Sequence, residues 1–301
     1  MTFLQIDLPA ISVAILAALT AALVGNLLIL RRQALMGDAL SHMVLPGIVA
    51  GYLISGHPKT WVTIACALVA GLFGAAVVTL IRKIGRLDMA TAMGVVLTAM
   101  FAAGVLMIET TGSAGVHLDV EHALYGSIES VIWPHPMTWV DVLSPDGWGH
   151  LPEEIPFLAG TFAILSIVFL VTAKEITLVT FDPSFGITLG LPFWVTELAI
   201  NGAVAIAVVA AFDAAGSILV IAMLICPAAT ARLTTNRFSS QIWASLFFAT
   251  TAAIVGYGLA VWGAAALGAS SAVNAAGGIA CVAGLILGIA AVWRRWLQHS
   301  T

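Results

Sequence analysis

Long apolar runs separated by short polar junctions dominate the chain. Runs long enough to cross ~30 Å of hydrocarbon as helices occur at about 8–30, 35–55, 60–81, 89–108, 156–173, 193–211, 216–231, 240–262 and 275–293. Nine spans are predicted. The run at 216–231 is short and carries Pro227. A half-spanning or broken helix there would leave eight full spans. No stretch alternates apolar and polar positions in the period-two manner of a strand. The predicted fold class is therefore an all-α polytopic membrane protein with eight to nine transmembrane helices, organised as a single transmembrane domain over 1–301. Residues 1–7 hold no Lys or Arg. A secretory signal needs a positive n-region and a short apolar core, so the run from Leu8 to Leu30 is read as the first span.

The junctions between runs set the orientation. Arg31 and Arg32 follow the first run, Arg82, Lys83 and Arg86 the third, and Lys174 the fifth. Arg232 and Arg237 follow the seventh, and Arg294 and Arg295 the last. Of the 11 basic residues, only Lys59 lies at an alternate junction. The positive-inside rule then predicts a periplasmic N-terminus and a cytoplasmic C-terminus. The long outside segment, residues 109–156, is acidic: it holds eight of the 15 acidic residues, four of the seven histidines and no Lys or Arg. A short amphipathic helix near 120–131 is predicted there, followed by an irregular loop, the segment being broken up by Pro134, Pro136, Pro145, Pro152 and Pro156.

Composition agrees with burial in lipid. The hydrophobic set makes up 61% of the chain and charged residues 9%, against about a quarter charged in a soluble domain. The net charge of −4 with scattered basic residues excludes nucleic acid as a partner. Cys66, Cys226 and Cys281 lie in apolar runs without CxxC spacing and are read as small buried hydrophobes. No GxxxxGK[ST], HExxH or GxSxG stretch occurs. The chain has no P-loop for ATP and no candidate for covalent catalysis, so it is read as a non-enzyme that holds no cofactor of its own.

Ionisable residues inside spans are costly and suggest function. The clearest case is Gly37-Asp38-Ala39-Leu40-Ser41-His42 in the second run. Asp38 and His42 are four apart and share a helix face, with Ser41 alongside. A carboxylate with an imidazole suits divalent Mn, Fe or Zn. Two ligands make an incomplete site, and a two-fold dimer would supply four. The alternative is a structural Asp–His ion pair between helices. Pro46 cannot donate to the His42 carbonyl, so it frees that group or bends the span. Asn26 and Asn201 suit interhelical hydrogen bonds. Glu197 lies near the cytoplasmic end of its span, within reach of water. Asp213 sits at an outside turn, and Cys226-Pro227 reads as a kink.

One inside junction, residues 174–192, carries helix punctuation. Asp182 suits an N-cap and Pro183 the first helical position. Gly190 can close the C-terminus, and Pro192 prevents continuation. A two-turn helix over 182–189 is predicted, with Phe181, Phe185 and Leu189 on one face. It either lies on lipid headgroups or docks into a cytoplasmic partner.

Four segments carry a family resemblance. The stretch from Leu35 to Gly47, LMGDALSHMVLPG, resembles the L-x-G-D-A-x-S-H-x-x-L-P-G signature of metal-type ABC permeases, the membrane subunits of bacterial manganese, zinc and iron importers. Residues 180–186 resemble that family's F-D-P-x-x-A run, with Gly186 in place of Ala. Residues 216–232 resemble its L-L-I-x-P-A-A-T-A run, and 122–128 its H-x-L-F-G-x-I-L run with Tyr125 for Phe.

The resemblance implies a permease in the bacterial inner membrane, with Asp38 and His42 on the pathway of a transported divalent metal. It implies that 182–189 couples to an ATPase through Phe181, Asp182, Pro183, Phe185 and Leu189. The implied partners are cytoplasmic ATPase subunits, a periplasmic metal-binding protein, membrane lipid, and a second permease copy or a sister permease. A sister permease is suggested by the long region around 133–156. Glu121, His122 and His117 are candidate residues of the metal entrance, beside the plainer reading of solvated loop charge. The competing function is a stand-alone proton-coupled secondary metal transporter, with Asp38 and His42 as the relay. Such carriers show corresponding broken helices in two halves, and no second GDxxSH-like segment occurs.

Overall fold

The computed structural model describes residues 3–56, 61–111, 128–134, 138–143, 148–190, 193–263 and 274–299. Among these no strand occurs, and nine helical stretches are long and apolar enough to cross a membrane. The helices are α1 (Asp7–Leu30), α2 (Leu35–Met43), α3 (Leu45–Ser55), α4 (Trp61–Gly85), α5 (Met89–Thr111), α6 (Trp139–Leu143), α7 (Glu154–Val171), α8 (Ala173–Phe181), α9 (Pro183–Thr188), α10 (Phe193–Thr234), α11 (Phe238–Gly258) and α12 (Ala275–His299). A π turn, Leu259–Gly263, extends α11.

The doubtful seventh run is a full helical stretch, Ala214–Thr234, with Pro227 inside it. It is joined to the sixth without a loop. The break falls at Gly216, whose φ of 74° and ψ of 167° only glycine adopts readily. The second run is two helices, because α2 stops at Met43 and α3 starts at Leu45. Pro46, in the first turn of α3, lacks the N–H that would have continued the helix. Only residues 128–131 of the predicted 120–131 helix are described, and Ile128–Ser130 form a single 3₁₀ turn.

The chain divides into two compact units. One comprises residues 1–26, 121–164 and 211–301. Its core is built on alanine: Ala10, Ala14, Ala17, Ala18, Ala21 and Ala22 of α1 are completely buried. Small side chains let helix backbones approach, which is how helices associate where lipid is as apolar as leucine. Gly25 lies so close to α10 that a Cβ would sit 2.0 Å from the Leu224 carbonyl oxygen. Gly256 of α11 meets the backbone of Ile279 in α12 in the same way.

The other unit comprises residues 27–120 and 165–210. Here α2 and α3 pack on α4 and α5. Gly47 and Gly51 form a G-x-x-x-G edge on α3. A Cβ at Gly47 would lie 2.3 Å from the Cys66 carbonyl oxygen, and one at Gly51 would lie 2.5 Å from Thr63 Cα. At the α2–α3 break, Val44 is buried in a cluster with Ala67 and Val209, flanked by Ile48 and Ile64. The junctions after α1 and α4 each turn through an arginine of positive φ, Arg32 at 57° and Arg86 at 49°.

Candidate functional site

The turn at Arg31–Ala34 delivers the chain into α2, where Asp38 and His42 fall one turn apart. His42 Nε2 lies 3.6 Å from Asp38 Oδ1. That is beyond a good hydrogen bond, so the two groups share a face without consuming each other. Their side chains are 42% and 30% exposed, Asp38 the more open. The His42 ring stands edge-on to Phe101 of α5 at 5.8 Å, which limits its rotation. Ser41 does not join them. It is buried, and its hydroxyl donates to the Gly37 carbonyl at 3.0 Å.

A carboxylate and an imidazole on a short helix can offer one oxygen and one nitrogen to a divalent cation. Among the described residues no group of three or more His, Cys, Asp or Glu is assembled. Among the described residues the pair thus presents two donors side by side on a half-exposed helix face. The entrance residues Glu121, His122 and His117 lie outside the described residues.

The second candidate element is a helix, Pro183–Thr188, one residue shorter at each end than predicted. Pro183 is its first residue, and Gly186 N–H donates to the Asp182 carbonyl at 3.1 Å, closing the first turn. Gly190 has a φ of 80°, as a left-handed stop requires. Phe181 and Leu189 are 57% and 59% exposed and Asp182 is exposed. The side chains of Pro183 and Phe185 lie outside the described residues. Gly186 is buried against Val179 of α8, where a Cβ would lie 3.0 Å from Val179 Cγ2.

Three sequence readings need correction. Glu197 does not face water: it is fully buried and ion-paired with Arg82 of α4. The sequence held only a partial signal: Arg82 in the last turn of α4 and Glu197 in the second turn of α10 are opposite charges beside junctions of the same parity along the chain. Asn26 makes the expected cross-helix bonds, to Ser245 and Gln241 of α11. Asn201 instead is buried with neither side-chain polar atom paired among the described residues. Cys281 is exposed on α12, while Cys66 and Cys226 are partly buried.

The sequence profile of the ABC 3 transport family matches residues 4–134 and 151–287. The manganese transport system membrane protein MntD of Bacillus subtilis (strain 168) is 34% identical over 252 residues, covering 84% of this chain and 82% of that protein. The zinc transport system membrane protein TroD of Treponema pallidum (strain Nichols) is 33% identical over 215 residues, covering 71% of this chain and 56% of that protein. Among solved structures, PsaBC from Streptococcus pneumoniae in complex with Fab superposes with a TM-score of 0.74 at 26% identity, covering 97% of this chain and 94% of that one.

Proposed function

Because this chain belongs to the ABC 3 transport family, we propose that it is the permease subunit of an ATP-binding-cassette importer that carries a divalent transition metal, Mn, Zn or Fe, across the bacterial inner membrane. The half-open Asp38–His42 pair on the broken second span carries this reading. Two ligands hold a cation weakly, which suits a site the ion must leave. A second permease copy, or a sister permease, meeting this one at the α2 face would complete the sphere. The N-terminus lies in the periplasm and the C-terminus in the cytoplasm, as the junction charges require. A periplasmic binding protein delivers the metal near Glu121, His122 and His117. ATP is hydrolysed by separate cytoplasmic subunits, which dock on α9 through Phe181, Asp182, Pro183, Phe185 and Leu189.

The test is uptake of manganese, zinc and iron by cells whose only importer is the complete system. Asp38→Ala and His42→Ala should each bring uptake to background with the protein still inserted and assembled. The loss should exceed the roughly 10–100-fold cost of removing a supporting partner of a metal ligand. Unchanged uptake in both variants would reduce the pair to a structural contact. Uptake that persists after ATP depletion but stops when the proton gradient collapses would favour the secondary carrier.

A further inference from the structure

A second charged cluster lies in the same compact unit as Asp38 and His42, and transport through that pair makes no use of it. Glu197, in the second turn of α10, is completely buried. Its Oε1 accepts from Arg82 Nη1 near the end of α4, while its Oε2 has no hydrogen-bond partner among the described residues. Arg31, directly after α1, is within electrostatic reach of both. Burial pushes the Arg31 pKa down, the Glu197 carboxylate pushes it up, and Arg82 pushes it down again. Arg31 Nε donates to Thr180 Oγ1 in α8 at 3.5 Å, and its buried Nη2 is unpaired among the described residues.

One buried carboxylate thus serves two guanidiniums while bonding one of them. A spare acceptor and a spare donor coexist in the same cluster. Leaving such groups unpaired is costly, and moving Glu197 toward Arg31 would pair both. The connectivity gives that movement a consequence. Thr180 precedes α9 by three residues and Glu197 follows its last residue by nine. Arg31 lies seven residues before Asp38.

We propose that Glu197 exchanges between Arg82 and Arg31 during the transport cycle, and that this exchange ties the motion of α9 to the helix bearing Asp38 and His42. The proposal rests on the permease reading. Glu197 is a positioning residue here, because it reaches the cargo only through the chain that carries Arg31. A linkage of this kind needs two discrete arrangements that both sites bias. The unpaired Oε2 and Nη2 supply the second.

The experiment uses the complete transporter in proteoliposomes, with manganese(II) uptake and ATP hydrolysis measured on the same sample. Glu197→Gln keeps the shape and one acceptor but removes the charge. It should leave ATP hydrolysis running while uptake per ATP falls on the order of tenfold, the usual size of a coupling free energy. Arg31→Gln should give the same defect, and the double variant should be no worse than either single one. Loss of folded protein lowers both readings together and leaves their ratio unchanged. If Glu197→Gln fails to assemble, Arg31→Gln, at the edge of the cluster, carries the test alone. A wild-type ratio in the assembled variants, or simple additivity in the double variant, overturns the exchange. Wild-type transporter that takes up no metal with ATP overturns the permease reading instead.

Discussion

At the residue scale, polar side chains in the spans divide by what satisfies them. Asn26 donates to the Ala22 carbonyl at 2.8 Å and to Ser245 Oγ at 2.6 Å, and accepts from Gln241 Nε2 at 3.1 Å. All three partners' side chains or backbone are inside the helix packing, and Asn26 itself is completely buried. Interhelical hydrogen bonds in membranes are worth about 0.6 kcal/mol on average and about 1.7 at most. Asn26→Ala should therefore cost about 1–3 kcal/mol, two such bonds plus a stranded Gln241 amide. Unfolding in mixed detergent micelles measures this, and coupling between Asn26→Ala and Gln241→Ala isolates the pair. An unshifted midpoint would show that the amides find other partners. Asp38 and His42 were legible from spacing alone, because a separation of four puts two residues on one helix face whatever surrounds it. The buried position of Glu197 was not. The sequence shows a charge near a span end but not that another helix end supplies its counter-charge.

At the element scale, length and hydropathy located the nine spans of the described residues, and Pro46 marked the break in the second, while the break at Gly216 and the facing directions escaped. The spans are apolar around most of their circumference, so periodicity does not mark a buried side. The break at Gly216 was unmarked because glycine is common throughout these helices. Helix α8 was missed because Ile176, Thr177, Val179 and Thr180 have weak intrinsic helix preference and tertiary contact overrides it. Gly47 shows how backbone contact fixes an element. With the Cys66 carbonyl 2.3 Å from any added Cβ, Gly47→Leu forces α3 off α4 and tilts α2 with it. Overpacking of this kind costs about 1–3 kcal/mol or more, and both stability in detergent and metal uptake should fall. Retention of both would mean the α3–α4 contact is adjustable. Helix α9 was the most legible element, since its start and stop are written as Asp182-Pro183 and Gly190. If it seats an ATPase subunit, Phe185→Asp places a charge in an apolar cleft and should release the subunit on co-purification, a loss of several kcal/mol. Asp182→Ala should weaken uptake without abolishing it. Full uptake by Phe185→Asp would remove α9 as a docking element.

At the scale of the whole molecule, two independent distributions bear on orientation. Basic residues follow alternate spans, and exposed tryptophans collect at span ends. Trp61 opens α4, and Trp262 lies in the turn that closes α11. Trp139 and Trp148 lie in the acidic segment, all four at ends assigned to the periplasm. Trp243 lies near the start of α11, and Trp293 and Trp296 near the end of α12, at ends assigned to the cytoplasm. Amphipathic indoles favour the headgroup level, which suits tryptophans at these span ends, and the proposed orientation rests on the junction arginines. The orientation prediction follows. In a background where Cys66, Cys226 and Cys281 are alanine, Glu153→Cys and Ser184→Cys place single thiols at exposed positions in the acidic segment and on α9. A membrane-impermeant maleimide added to intact spheroplasts should label Glu153→Cys at once. Ser184→Cys should label only after the membrane is opened. The reverse pattern would invert the molecule. It would put α9 on the side without ATP, and the permease assignment of that helix would fall with it.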